Sequence, residues 1–256
     1  CTGKDGPLRR RSDTHAPMRA SNTSDADVPK LWSRDYDPIW AACAETGLSV
    51  NQHGGAGVPD YSTAKIKNFL MIMEVPFFAN RSLWHVILSG VFERFPNLQF
   101  VMTEQRTGWV PETLKKMDGV WWAFNNGGVG ELRMDGNSLE RSPSSYFDTN
   151  CTMGASFPSR DEADAIKELG VGNVMWGSDY PHREGTYPDS VASLRHVFHD
   201  WEPADLHELF GGTAAKLYGL DIEPMAALEL GPMVDEIATP LDEIPDNPSM
   251  AFGRRL

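Results

Sequence analysis

The chain has 256 residues, 41% of them apolar and 23% charged, and carries a formal net charge of -13 at neutral pH. That length suits a single α/β barrel as well as two small domains, and one large domain is the simpler expectation. The excess of acid disfavours nucleic acid and anionic membranes as partners, and the longest apolar candidate, FLMIMEVPFF, is interrupted by Glu74 and Pro76 well short of a membrane span.

Cys1, Cys43 and Cys151 are widely spaced and form no C-x-x-C pair, which predicts a reducing, cytoplasmic setting and no thiolate metal cage. The opening CTGKDGPLRRRSDTH is basic with no apolar core behind it, so it does not read as a signal peptide. It begins with Cys in place of Met, and the expectation is that the true start of the protein is missing.

Residues 1–34 are polar, rich in Gly and Pro, and read as irregular. YDPIWAACAETGLSVNQHGG then predicts an N-cap at Asp37, Pro38 in the first turn, a short helix stopped by Gly47, and a strand from Leu48 toward His53. The pattern recurs in RSLWHVILSGVFERFPNLQFVMTEQRTGW. There Leu83, Ile87 and Val91 share a helix face, Pro96-Asn97 turns the chain, and LQFVMTE is a strand ending at Glu104.

A third strand is predicted in SSYFDTNCTM, over about 145–152. A capping box of Ser159 with Glu162 opens the next helix, Gly170 stops it, and NVMWGSD is a strand ending at Asp179. Helices over about 189–200 and 203–218 follow. An acidic, Pro-rich tail over 221–256 closes the chain, with eight acidic residues after Gly219 before the first basic one, Arg254.

Alternating strands and helices imply a parallel sheet, either doubly wound or closed as a barrel, with chemistry at the C-terminal strand ends. Those ends carry His53, Glu104, Cys151 and Asp179. No G-x-G-x-x-G or G-x-x-x-x-G-K-[ST] loop follows any strand, which favours the barrel.

Each candidate has two readings. His53 is either a strand-end histidine satisfied by backbone or, with Asp179, a ligand for Zn²⁺ or Mn²⁺. Asp179 either caps the following helix or pairs with Arg183, or else binds metal and takes a proton from an attacking water. Glu104 has Arg106 as a ready ion-pair partner. For His182, orienting Asp179 is favoured over touching substrate or merely lining the rim. His196 and His199 fit a solvated helix face better than half a site, and Trp121, Trp122 and Phe124 line an aromatic pocket or pack an insertion. Cys151 has no adjacent base, and no G-x-S-x-G or H-E-x-x-H occurs.

Taken together, YDPIWAACAETGLSVNQHGG, GVFERFPNLQFVMTEQRTGWVPETLKKMD, SPSSYF, VMWGSDYPHREGTYPDS and LFGGTAAKLYGL resemble the amidohydrolase-related family, over residues 35–220. This branch of the amidohydrolase superfamily includes aminocarboxymuconate-semialdehyde decarboxylase and γ-resorcylate decarboxylase. The resemblance implies an α/β fold, the C-terminal part of a metal-dependent (β/α)8 TIM barrel with strands five to eight, its early strands missing. His53 matches the metal-ligand histidine of the fifth strand and Asp179 the metal-ligand aspartate of the eighth. Glu104 stands where several of the decarboxylases have a catalytic histidine.

The family's first-strand H-x-H or E-x-H pair has no counterpart before His53. The implied function is a divalent-metal-dependent hydrolase of a small organic substrate, with zinc the first choice of ion and manganese the second. Asp179, Glu104 and His182 are its catalytic candidates. A non-oxidative decarboxylase of an aromatic or unsaturated carboxylic acid is the alternative, and a non-catalytic barrel remnant is a third reading. The resemblance also implies a small-molecule partner and a homodimer.

Overall fold

The computed structural model describes residues 29–54, 59, 61, 63, 65–133, 139–221 and 234–253. Residues 1–28, most of the segment read as irregular, lie outside them. A 3-10 turn, Arg34–Tyr36, capped by the Ser33 side chain, leads into α1 (Asp37–Thr46). Asp37 is therefore the first residue of the helix and not its N-cap, because the 3-10 turn has moved the start upstream. Its carboxylate is bound instead by Arg94, 2.9 Å away. Gly47, at φ 72°, ends α1 in the left-handed conformation a glycine adopts without Cβ strain.

Strand β1 (Val50–His53) follows, then the long helix α2 (Lys67–Leu88) and the single turn α3 (Val91–Arg94). FLMIMEVPFF lies wholly within α2. Pro76 leaves one carbonyl of the preceding turn without its amide, and that turn is on the exposed side, where Ile72 and Met73 face solvent. Leu83, Ile87 and Val91 are buried as the spacing predicts. Strand β2 (Phe100–Gln105) leads to α4 (Val110–Asn125), whose Val110, Leu114 and Met117 form the buried stripe.

The expected strand over about 145–152 is corrected. Pro143 starts α5 (Pro143–Asn150), which buries Tyr146, Phe147 and Asn150, and strand β3 (Cys151–Ser156) begins only there. Tyr146 and Phe147 have strand propensity, but proline in the first helical turn and burial of one helix face outweigh it. A 3-10 turn, Arg160–Glu162, carries the expected capping box into α6 (Ala163–Leu169), and Gly170 ends it. Strand β4 (Val174–Gly177) and α7 (Ser190–Phe198) follow. The expected helix over 203–218 is α8 (Pro203–His207) and α9 (Thr213–Tyr218) joined by a π-helical turn, Glu208–Gly212. A last turn, α10 (Val234–Ile237), lies in the C-terminal segment.

Among the described residues the strands form one parallel sheet in the order β1-β2-β3-β4. Strands adjacent in sequence are adjacent in space, as in a barrel, whereas a doubly wound sheet reverses direction partway. Phe100, Met102, Met153 and Val174 are buried in one core with Leu83, Phe92, Phe147, Ile166 and Phe198. The β1 residues Asn51 and His53 remain exposed. Tyr218, at the end of α9, donates to Asn51 Oδ1 at 3.2 Å. No helix among the described residues is long and apolar enough to cross a membrane.

Candidate metal centre

In register, His53 stands opposite Thr103, and Ser156 opposite Gly177, so the C-terminal ends of the strands lie along one rim. The pairing of β2 with β3 slips between Thr103 and Gln105, leaving Glu104 as an extra residue. Such a bulge re-aims a side chain. Glu104 has φ 55° and Asp179, two residues past β4, has φ 61°. Both carboxylates are thus held in a backbone region that disfavours residues with a Cβ, at a cost on the order of 1–3 kcal/mol each.

His53 Nδ1 lies 2.7 Å from the Gly54 carbonyl and therefore donates to it, while Nε2 makes a short contact with Glu104 Oε2. An imidazole that donates through Nδ1 turns Nε2 toward the carboxylate, so Nε2 and Glu104 Oε2 are two donor atoms aimed at one place. The bond to Gly54 and the charge of Glu104 hold the His53 pKa above its ordinary 6.5, against some loss of solvation. The Asp179 carboxyl is raised above 3.8, first by burial and then by Glu104, while His182 pulls the other way. His182 Nδ1 is 3.1 Å from both Asp179 oxygens.

One ligand atom each from Glu104, Asp179 and His182 lies within 4.8 Å of the others. Two carboxylates at this range, with imidazoles on the same rim, are the donor set of a divalent cation, so the residues present fit one. The sequence candidates His53, Glu104, Asp179 and His182 are all brought to this rim, His53 through its contact with Glu104.

Neither bland reading of the carboxylates holds. Helix α7 starts beyond the loop, with Asp189 at its N-cap, so Asp179 does not cap it, and Asp179 is bound by His182 and not Arg183. Glu104 meets His53, while Arg106 turns to Glu162, 3.0 Å away. Cys151 opens β3 and so lies at the end of its strand away from the rim, where burial pushes its thiol pKa up. The aromatic pocket is not formed: Trp121 donates to the Leu139 carbonyl while Trp122 is exposed. His196 packs on Phe252, and His199 bonds the Arg195 carbonyl, so both are half-buried and not on a solvated face.

In the sequence Glu162 is recognisable only as a cap. It is buried, and it accepts from the Thr107 amide at 2.7 Å as well as from Arg106, joining the β2 loop to the β3 loop. A cleft of about 680 Å³ opens beside the rim, lined by His53, Glu104, Arg106, Trp109, Asn80 and Glu162 among others. Among its lining residues, Asn80 Oδ1 and Trp109 Nε1 are shut off from solvent with no hydrogen-bond partner among the described residues.

The fold and rim define an α/β barrel type with a carboxylate-imidazole cluster suited to a metal ion. The amidohydrolase family model matches residues 18–220, and the chain belongs to that family. Its sheet is part of the family's (β/α)8 barrel. The chain is similar in structure to an amidohydrolase from Mycobacterium avium subsp. paratuberculosis, with 21% identity and a TM-score of 0.56, over 73% of this chain and 46% of that one. A 5-carboxyvanillate decarboxylase from Sphingomonas paucimobilis gives 24% and 0.59, over 75% and 56%. A dihydroxybenzoic acid decarboxylase from Polaromonas, with bound manganese and 2-nitroresorcinol, gives 19% and 0.59, over 76% and 57%. The chain thus spans about half the length of these structures. No curated protein matches.

Proposed function

We propose that the chain carries the Glu104, Asp179 and His182 side of a divalent-metal site in an enzyme acting on a small organic molecule, with hydrolysis as the first reading. The observation that carries this is the convergence of those three residues within 4.8 Å, with His53 against Glu104. His53 Nε2, Glu104 and Asp179 would hold the ion, and His182 would orient Asp179. When bound, a divalent ion supplies Lewis-acid polarisation and lowers the pKa of a water toward about 7. Asp179, whose pKa is already raised by burial, accepts the proton of the attacking water at a carboxylate oxygen.

Non-oxidative decarboxylation is the second reading, favoured by the decarboxylases among the structural neighbours, one of them with bound manganese. It calls for an acid that protonates the carbon as CO₂ leaves, and Glu104 stands at the strand tip where that acid would act. Manganese is therefore as good a choice as zinc. The two readings separate in ¹⁸O-labelled water, with Zn²⁺ or Mn²⁺ supplied and a panel of hydroxybenzoates, lactones and amides. Label in the organic product marks hydrolysis, and CO₂ release with no label in the organic product marks decarboxylation. Metal-independent turnover, or none with either ion while the ion binds, counts against the proposal.

A further inference from the structure

The C-terminal segment reads as an acidic, Pro-rich tail, and within it Asn247, Ser249, Ala251 and Phe252 are all buried. These residues lie beyond the part of the chain that the family model matches. The Asn247 amide is fully engaged. Its Nδ2 donates to the Thr186 carbonyl at 3.3 Å and to Asp189 Oδ2 at 2.9 Å, and its Oδ1 accepts from the Ser249 amide at 2.9 Å. Thr186 closes the loop that carries the rim residues, since its amide donates to the Ser178 carbonyl at 3.0 Å. Inside that loop the His182 amide donates to the Asp179 carbonyl and the Gly185 amide to the His182 carbonyl.

From Asn247 the segment runs past Arg106, where Met250 Sδ is 3.8 Å from Nη1, and docks on α7 through Phe252 against His196. It therefore touches both the β4 loop and the residue two past Glu104. A buried side-chain amide that spends every polar atom on one loop and its own segment fixes that loop's shape, because losing the amide strands a buried carbonyl and a carboxylate.

We infer that Asn247 is a positioning residue for Asp179 and His182, and that its side-chain amide, not the packing of the segment beyond it, is the clasp that sets the shape of the loop between β4 and α7. The inference rests on the reading of Asp179 as a metal ligand. A positioning partner of this kind typically changes metal affinity by about 10–100-fold.

The test uses the full chain and Mn²⁺ alone as probe, with amide exchange of His182, Gly185 and Thr186 followed in the metal-free protein. Asn247→Ala is expected to speed exchange at these amides about tenfold and to weaken Mn²⁺ binding about tenfold. Phe252→Leu, which loosens docking on α7 without touching the loop, is expected to lower the melting temperature and leave Mn²⁺ affinity within about twofold. Unchanged exchange in a folded Asn247→Ala protein overturns the inference, as does an equal loss of affinity in Phe252→Leu.

If Asn247→Ala does not fold, Asp189→Asn, which keeps an acceptor oxygen, is compared with Asp189→Ala. The first should match the parent and the second should show the faster exchange, and equal behaviour overturns the inference. Failure of the underlying reading looks different: Asp179→Asn would bind Mn²⁺ as the parent does, whereas the exchange result still tells whether the clasp holds.

Discussion

Glu104 and Asp179 sit at the ends of β2 and β4, on either side of β3, and both have left-handed backbone, with φ 55° and 61°. Burial and then the Glu104 charge raise the cost of ionising Asp179. Two carboxylates kept together at a cost in both backbone and charge are stabilised by a cation. Asp179→Asn keeps the shape and removes the charge. It is expected to abolish or weaken Mn²⁺ binding by at least about 100-fold, since under the proposed function it removes a ligand and not merely a supporting group. Titration followed by the Mn²⁺ paramagnetic resonance signal reads this directly, and an affinity equal to the parent's would remove Asp179 from the site.

The pH dependence has a definite sign. His53 has a folded pKa above 6.5, so its contribution to stability is complete below 6.5 and is lost as pH rises through the folded value. Asp179 acts in the same direction from a lower start: its raised pKa favours folding below 3.8 and that contribution is lost as pH climbs through its folded value. The metal-free chain should therefore lose stability from His53 as pH rises above 6.5 and through its raised folded value, while Mn²⁺ affinity increases over the same interval because the ion displaces the proton. Thermal melts with and without MnCl₂ across that interval check it. A Mn²⁺-induced shift that does not grow with pH would mean His53 keeps its proton.

Glu162 binds the Thr107 amide, the Ser159 amide and Arg106 from a buried position. Glu162→Ala leaves the Thr107 and Ser159 amides without their acceptor, while the half-exposed Arg106 keeps Ser159 Oγ, for an expected loss in urea unfolding of about 1–3 kcal/mol for each amide. Glu112, on the exposed side of α4, serves as the control, with Glu112→Ala expected within about 0.5 kcal/mol of the parent.

Gly185 is required by close approach. A Cβ there would meet the Ser178, Asp179 and His182 carbonyls at 2.6, 3.0 and 3.1 Å, and backbone cannot swing aside as a side chain can. Gly185→Ala should lower both stability and Mn²⁺ affinity. Gly172→Ala, where a Cβ meets nothing within 4 Å, should change neither. Calorimetric melts with a Mn²⁺ titration of each variant separate the two, and equal behaviour would show the loop to be free to relax.

Much of the fold is legible in residue type and spacing. Gly47 and Gly170 stop helices, Ser159 and Glu162 form their box, and apolar runs place β1, β2 and β4 with His53, Glu104 and Asp179 at or just past their tips. These are local effects of backbone conformation and short-range hydrogen bonding, so nearby residues carry them. Tyr146 and Phe147 mislead, because an aromatic pair suits a strand and a buried helix face equally and only the packing around Pro143 decides. The docking of Asn247 gives no local signal, since apart from the Ser249 amide its partners Thr186 and Asp189 lie far back in the chain.

The linear order of residues thus specifies which groups stand at the strand ends and what class of chemistry they suit. That these groups meet is a property of the packed molecule. The register of β1 to β4 places His53 against Glu104, and the β2 bulge with its left-handed residue turns that carboxylate toward Asp179. A parallel register is fixed by helices packing across the whole sheet, and a left-handed φ at a glutamate or aspartate runs against local preference, so neither can be read from the residues that carry it.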